Sequence, residues 1–190
     1  LHVVHLATVN VFAPNEDWSG DAQVSATAAA VGAFPFASAT SKDAAALVTV
    51  KAAPYSVKVL GGTGQNDIAL VELYDATPSA DFGPTTPRLV NASSRAQVDT
   101  GDGVLICGFV VSGATARTVM IRGVGPRLEQ YGVSGVLADP TLELYRHSGS
   151  NEVLVARNDN WSDAPNPSLI ETIASQVGAF SLSEGSKDAV

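Results

Sequence analysis

The residues of this chain best suited to chemistry are three clusters of side-chain oxygens. Asn158-Asp159-Asn160 and Asn15-Glu16-Asp17 each lie just before a tryptophan, and Asp99 and Asp102 form the third cluster. Calcium is bound by carboxylate and amide oxygens in irregular loops. The candidate calcium ligands are therefore Asp159, Asn158, Asp17, Asn15, Asp99 and Asp102. The alternative is structural, because Asn and Asp also form turns by bonding to nearby backbone, and no EF-hand spacing is present.

The two tryptophans that follow the repeated clusters are candidate ligand-binding residues. Trp18 and Trp161 could stack on sugar rings, and two copies would bind a glycan with avidity. Alternatively, each indole packs against the edge of the fold beside a helix. The first interpretation predicts exposed indoles and the second predicts buried ones.

No set of residues in the sequence predicts catalysis. Residues 123–126, Gly-Val-Gly-Pro, follow a predicted strand as a dinucleotide loop would, but they lack the third glycine and an acidic partner. His2 and His5 are three positions apart and would face opposite sides of a strand. Cys107 lies in an apolar run, which predicts a buried small hydrophobe. We expect a protein that is not an enzyme and needs no cofactor other than the candidate calcium.

Composition and charge limit the partners. The 190 residues are 45% hydrophobic and only 16% charged, with a net charge of −8. The sequence has no basic stripe, so neither nucleic acid nor an anionic membrane surface is an expected partner. No apolar run is long enough to span a bilayer, and we expect no membrane insertion. Asn91 and Asn160 match the N-glycosylation acceptor pattern, which is short and common.

A tandem repeat organises the chain. Trp161 follows Trp18 by 143 positions, Val177-Gly178-Ala179-Phe180 matches residues 31–34, and Ser186-Lys187-Asp188-Ala189 matches residues 41–44. Residues 144–190 therefore repeat residues 1–45, with small length changes of the kind that loops tolerate. A period of about 143 residues has the size of a domain and exceeds that of a solenoid or propeller repeat.

The boundary between repeat units is predicted from proline content. Residues 76–87 contain three prolines with polar spacers, a composition typical of a semi-extended linker. Residues 1–75 then form the back part of one unit, and residues 88–190 form the front part of the next. Because the chain starts at Leu1 without a methionine, we expect it to be a piece of a longer protein.

Alternating apolar residues predict strands, and one helix is predicted in each copy. The predicted strands are residues 55–59, 69–74, 117–122, 140–145 and 152–156. Turn phrases at 61–64 and 100–103 separate strands, a pattern typical of a β-sandwich. A capping box predicts a helix from Ser168, with Leu169, Ile173 and Val177 on its apolar side and Gly178 at its end. The first copy predicts a helix over residues 22–31.

Several stretches resemble a repeat of large secreted or surface proteins of bacteria. They are "DPTLELYRHSGSNEVLVARNDNW" with "GSKDA", "PYSVKVLGGTGQNDIALVELYD", "RLVNASSRAQVDTGDGVLICGFVVSG" and "TVMIRGVGPRL". The repeat is similar to the pre-peptidase C-terminal type of β-sandwich module, although residues 53–55 read Ala-Pro-Tyr where Gly often precedes the Tyr. The resemblance implies an all-β fold of antiparallel, jelly-roll-like sandwich units in tandem. It also implies an extracellular, non-catalytic role.

The sequence thus favours a structural protein of the cell surface or the extracellular space. Its expected partners are copies of itself, in a filament or array joined through tandem units. The incomplete units predict that residues 144–190 exchange strands with a neighbouring subunit. The alternative is a carbohydrate-binding or adhesion module of a larger secreted protein, for which Trp18 and Trp161 would bind the glycan.

Overall fold

The computed structural model describes residues 2–5, 10–11, 14–60 and 68–190. The chain divides into two compact units, Leu1–Asn91 and Ala92–Val190, and each is described by itself. The division falls shortly after the predicted linker at residues 76–87. The turn phrase predicted at residues 61–64 lies outside the described residues.

The first unit contains a three-stranded antiparallel sheet. Its strands are β1 (His2–His5), β2 (Asn10–Val11) and β3 (Tyr55–Lys58), in the order β2-β1-β3. Residues of β1 face those of β3 in register, with Val3 opposite Val57. The strand predicted at residues 55–59 is therefore confirmed and is paired with the start of the chain.

The second unit contains a long hairpin. Strand β4 (Leu142–Ser148) pairs antiparallel with β5 (Asn151–Asn158), with a bulge between Leu144 and Tyr145. The two-residue loop starts at Gly149, whose φ of 60° suits the hairpin turns that require glycine at that position. The hairpin confirms the strands predicted at residues 140–145 and 152–156.

Each repeat copy contains one short helix. Helix α1 (Ala22–Val31) begins after Asp21, whose carboxylate accepts hydrogen bonds from the backbone N–H groups of Gln23 at 2.8 Å and Val24 at 3.0 Å. It is rich in alanine and ends at Gly32, which has a φ of 75°. The bounds predicted for this helix, residues 22–31, are confirmed.

The second helix differs from its prediction at the start and on its buried side. Helix α2 (Pro167–Gln176) is capped by Asn166, so the predicted cap at Ser168 is wrong. Asn166 is an equally good capping residue, and proline is favoured at the first helical position. The predicted apolar stripe is also wrong in part, because Leu169 and Val177 are exposed and Ala174 is the buried residue.

Other predicted strands have no partner in the part of the chain that the structure describes. Residues 69–74 and 117–122 form no ladder, and neither does the apolar run at residues 104–111. Cys107, predicted to be buried, is exposed within that run. Periodicity predicts the two faces of a strand but not the strand that pairs with it, which is why these predictions fail.

The described strands are antiparallel throughout, and a helix accompanies each repeat copy, as predicted. The observed sheets have three strands and two strands. Over the described ranges, no helix combines the length and the apolar character needed to cross a bilayer.

Candidate functional site

The repeated acidic phrase folds into the same turn module twice. We name residues 15–45 the first turn module and residues 158–190 the second turn module. In each, the backbone N–H of the tryptophan donates to the carbonyl oxygen of an aspartate near the end of the module. The distance is 2.8 Å from Trp18 to Asp43 and 2.8 Å from Trp161 to Asp188. The repeat seen in the sequence is therefore a repeat of structure.

The asparagine that starts each phrase closes its loop. Its side-chain oxygen accepts a bond from the last residue of the module, and its amide nitrogen donates to the backbone two residues ahead. The oxygen bonds are Ala45 N to Asn15 Oδ1 at 3.0 Å and Val190 N to Asn158 Oδ1 at 2.9 Å. The nitrogen bonds are Asn15 Nδ2 to Asp17 O at 3.1 Å and Asn158 Nδ2 to Asn160 O at 3.0 Å. These amide groups shape the turn, as the structural interpretation of the phrase expects.

Both indoles are held by the loop that crosses them. Trp161 is 4% exposed, and its Nε1 donates to the carbonyl oxygen of Ser183 at 3.1 Å. Trp18 is half-buried, and its Nε1 donates to the equivalent carbonyl oxygen of Ser38 at 3.0 Å. Its ring lies 5.1 Å from that of Phe36. Trp161 therefore packs in the interior of its unit, and a glycan-stacking role stays a prediction for which Trp18 has the more accessible ring.

The candidate calcium ligands are engaged in several separate contacts. Asp17 forms an ion pair with Lys42 at 2.7 Å, and Asp159 Oδ1 accepts a bond from Thr141 Oγ1 at 2.9 Å. Asp99 Oδ1 accepts a bond from the N–H of Thr100 at 2.8 Å. Asp102 lies in the short 3-10 turn Gly101–Gly103. Within the described ranges, no group of three or more His, Cys, Asp or Glu could hold a metal ion, and calcium stays a prediction.

Sequence reasoning missed the most deeply buried polar group of the described chain, Asp188. Its side chain is 0% exposed. Oδ1 accepts bonds from the backbone N–H groups of Gly125 at 2.8 Å and Arg127 at 3.3 Å, and Oδ2 accepts one from the Ser186 hydroxyl at 2.7 Å. The available signal was the repeated Ser-Lys-Asp-Ala phrase, which contains Asp43 in the first copy and Asp188 in the second.

Gly123 and Gly125, which suggested a dinucleotide loop, have a structural role. Gly123 and Ala189 exchange two backbone hydrogen bonds, at 2.9 Å and 3.0 Å. Gly125 lies so close to the carbonyl oxygen of Leu137 that any β-carbon at this position would collide with it. The backbone of this loop can therefore reach Asp188 and Ala189 only because position 125 has no side chain.

Residues 119–131, which we name the covering segment, also lie over an aromatic ring of the second turn module. The guanidinium carbon of Arg122 lies 4.4 Å from the centroid of the Phe180 ring, within the range of a cation–π contact. The Tyr131 ring lies 5.1 Å from the same ring. Burial lowers the pKa of Arg122, and the nearby Asp188 partly opposes this effect. The covering segment therefore contacts its module through charge, backbone and aromatic groups.

In the first turn module the equivalent residues are more exposed. Asp43 is exposed whereas Asp188 is fully buried, and Ala44 is half-buried whereas Ala189 is 0% exposed. Phe34 is 76% exposed, against 38% for the equivalent Phe180. Among the described residues, no donor contacts the carboxylate of Asp43.

No family model, no curated protein and no solved structure matches this chain. Its function is therefore inferred from the repeat and from the chemistry of the two turn modules. In both modules the asparagine and the tryptophan bond to their own loop, and the covering segment contacts the second module.

Proposed function

We propose that this chain is a non-catalytic extracellular structural protein whose tandem β-sandwich units build a filament or a cell-surface array. One observation carries the proposal: the tryptophan and asparagine bonds of the turn module recur at a spacing that corresponds to a whole domain. A repeated active site would keep polar groups directed at a ligand. Here the repeated asparagines and tryptophans bond to their own loops, as expected of a scaffold element.

Exposed apolar segments support assembly. Ile68 is 99% exposed, Val90 91%, Ile106 82% and Val110 94%. Large exposed apolar surfaces mark contacts with other proteins, and extended segments without a ladder offer backbone groups for pairing. In the proposed array, neighbouring units cover these segments, and strand exchange by residues 144–190 is one route to that cover.

The alternative is a carbohydrate-binding or adhesion module, and it now depends on Trp18. A glycan array comparing the chain with Trp18→Ala separates the two proposals. Glycan binding that the substitution abolishes would favour the alternative, whereas the structural proposal expects no glycan to bind through this ring.

Sedimentation velocity of the purified chain tests the structural proposal. The array predicts species larger than the 19.5 kDa chain, in amounts that rise with protein concentration. A calcium chelator added to the same samples tests the candidate calcium ligands, because a calcium-dependent array would dissociate. A single species of one chain at every concentration would contradict the proposal.

A further inference from the structure

The proline-rich segment predicted to link the repeat units is folded into turns. We name residues 75–88 the joint segment. At its start, the Asp75 carboxylate accepts a hydrogen bond from the backbone N–H of Thr77 at 3.0 Å. A short 3-10 helix, Ser79–Asp81, comes next, and the N–H of Phe82 closes it by donating to its first carbonyl oxygen at 3.3 Å. A segment whose composition predicts a semi-extended linker therefore contains a helical turn in its first half.

A second turn follows, and one hydroxyl group ties it to the 3-10 helix. The backbone N–H of Thr86 donates to the carbonyl oxygen of Gly83 at 3.2 Å, and Pro84 holds the second position of this turn, which favours proline. The Thr86 hydroxyl accepts a bond from the N–H of Gly83 at 2.9 Å and donates to the carbonyl oxygen of Asp81 at 2.9 Å. A single oxygen atom therefore connects the two turns.

An aromatic contact also joins the two halves of the joint segment. The guanidinium carbon of Arg88 lies 5.9 Å from the centroid of the Phe82 ring, within the range of a cation–π contact. The chain thus returns to the end of the 3-10 helix after the second turn. Thr86 is half-buried by these contacts, whereas the neighbouring Thr85 is exposed.

The prolines reduce the entropy that these turns lose when they form. Each proline ring fixes its own φ, and the segment contains Pro78, Pro84 and Pro87. A chain restricted in this way has fewer conformations to give up, so a small number of hydrogen bonds is enough to hold one of them. The two bonds of the Thr86 hydroxyl are therefore well placed to decide whether the segment keeps its shape.

We propose that the joint segment is a spacer that keeps its shape, held by the Thr86 hydroxyl. Every contact that supports this inference joins two residues of the same segment. The inference deepens the proposed array function and rests on that function only for the purpose of the spacer. In the array, a spacer of this kind would have the same length in every copy, whereas an unfolded linker would vary in length.

Distances between spin labels placed on either side of the joint segment test the spacer. The labels are attached to Leu73→Cys and Val90→Cys in the full chain, with Cys107→Ala to remove the native thiol; all three positions are exposed. We expect a narrow distribution of distances. Thr86→Val removes both hydroxyl bonds and keeps the shape of the side chain, and it should widen the distribution about twofold or more, as for a flexible chain.

Thr85→Val is the matched control, because it makes the same chemical change at the adjacent position. Within the described ranges, the Thr85 hydroxyl makes no hydrogen bond, so this variant should keep the narrow distribution. Urea unfolding curves that match those of the labelled parent would show that Thr86→Val leaves the rest of the chain folded. A broad distribution in the parent would overturn the spacer. Equal widths for Thr86→Val and Thr85→Val would overturn the role of the Thr86 hydroxyl.

The result can be distinguished from a failure of the proposed function. Narrow distances that depend on Thr86, in a chain that never assembles in sedimentation, would support the spacer and contradict the array. Broad distances in a chain that does assemble would overturn the spacer and leave the array intact.

Discussion

Replacing Asp188 by alanine should destabilise the second unit far more than the same replacement of Asp43 destabilises the first. The two aspartates hold the same position in the repeat and form the same backbone bond to a tryptophan. They differ in their surroundings, because Asp188 is 0% exposed and Asp43 is exposed. The pair therefore isolates the energetic effect of the covering segment.

The magnitude follows from the hydrogen bonds that are lost. The Asp188 carboxylate accepts bonds from Gly125, Arg127 and Ser186. A buried donor left without a partner costs about 1–3 kcal/mol. Gly125 is buried, whereas Arg127 and Ser186 are half-buried and can regain some bonding to water. The expected loss in the free energy of unfolding is about 3–5 kcal/mol for Asp188→Ala. An exposed position such as Asp43 should change it by less than about 0.5 kcal/mol.

Urea unfolding followed by tryptophan fluorescence can measure each unit separately. Asp188→Ala is placed in a Trp18→Phe background, so that the emission comes from Trp161 in the second unit. Asp43→Ala is placed in a Trp161→Phe background, so that Trp18 reports on the first unit. Each variant is compared with its own background chain, and an unchanged slope shows that stability alone has changed.

Equal effects of the two substitutions would refute the reasoning. A loss below about 1 kcal/mol for Asp188→Ala would mean that the three bonds contribute little, against the usual cost of orphaned buried donors. A large loss for Asp43→Ala would mean that burial by the covering segment does not set the difference between the two aspartates. Either result would contradict the energetic effect assigned to the covering segment.

Two further predictions concern Gly125 and Tyr145. Gly125→Ala should destabilise the second unit by about 1–3 kcal/mol, because the new β-carbon would collide with the Leu137 carbonyl oxygen. The control Gly123→Ala should be tolerated, because its β-carbon would meet only ordinary contacts of 3.7–3.9 Å. Thermal unfolding of both variants tests the prediction, and equal losses of stability would contradict it. The hydrogen bond of 2.6 Å from the Tyr145 hydroxyl to Glu143 raises the pKa of Tyr145. Glu143→Gln should lower the pKa of Tyr145 in an NMR titration, and an unchanged pKa would argue against the contact. The stabilisation of the folded chain by this bond should be complete below the ordinary tyrosine pKa. It should be lost as the pH rises through the raised pKa of Tyr145.

Local signals in the sequence were enough to predict several elements. Helix α1 has the predicted bounds because an aspartate cap, an alanine-rich body and Gly32 all act within one short stretch. Strands β4 and β5 form as predicted because alternation and a glycine turn specify a hairpin without distant partners. The repeat itself was readable because matching residues recur in the same order.

The remaining features depend on contacts between distant parts of the chain. The burial of Asp188 arises from Gly125 and Arg127, about sixty residues away. The residues next to Asp188 in the sequence do not indicate that contact. Cys107 was expected in a buried strand, but its apolar run finds no ladder partner among the described residues. The start of α2 moved to Asn166 because two nearby residues could cap the helix equally well. Sequence patterns predict local preferences and leave such long-range choices open.

Electron microscopy of the native protein tests the central claim most directly. Tandem structural units predict regular filaments or a lattice whose spacing matches one or two units along the chain. Images taken after chelation of calcium would show whether the acidic phrases contribute to that assembly. Dispersed single molecules in both conditions would contradict the structural account.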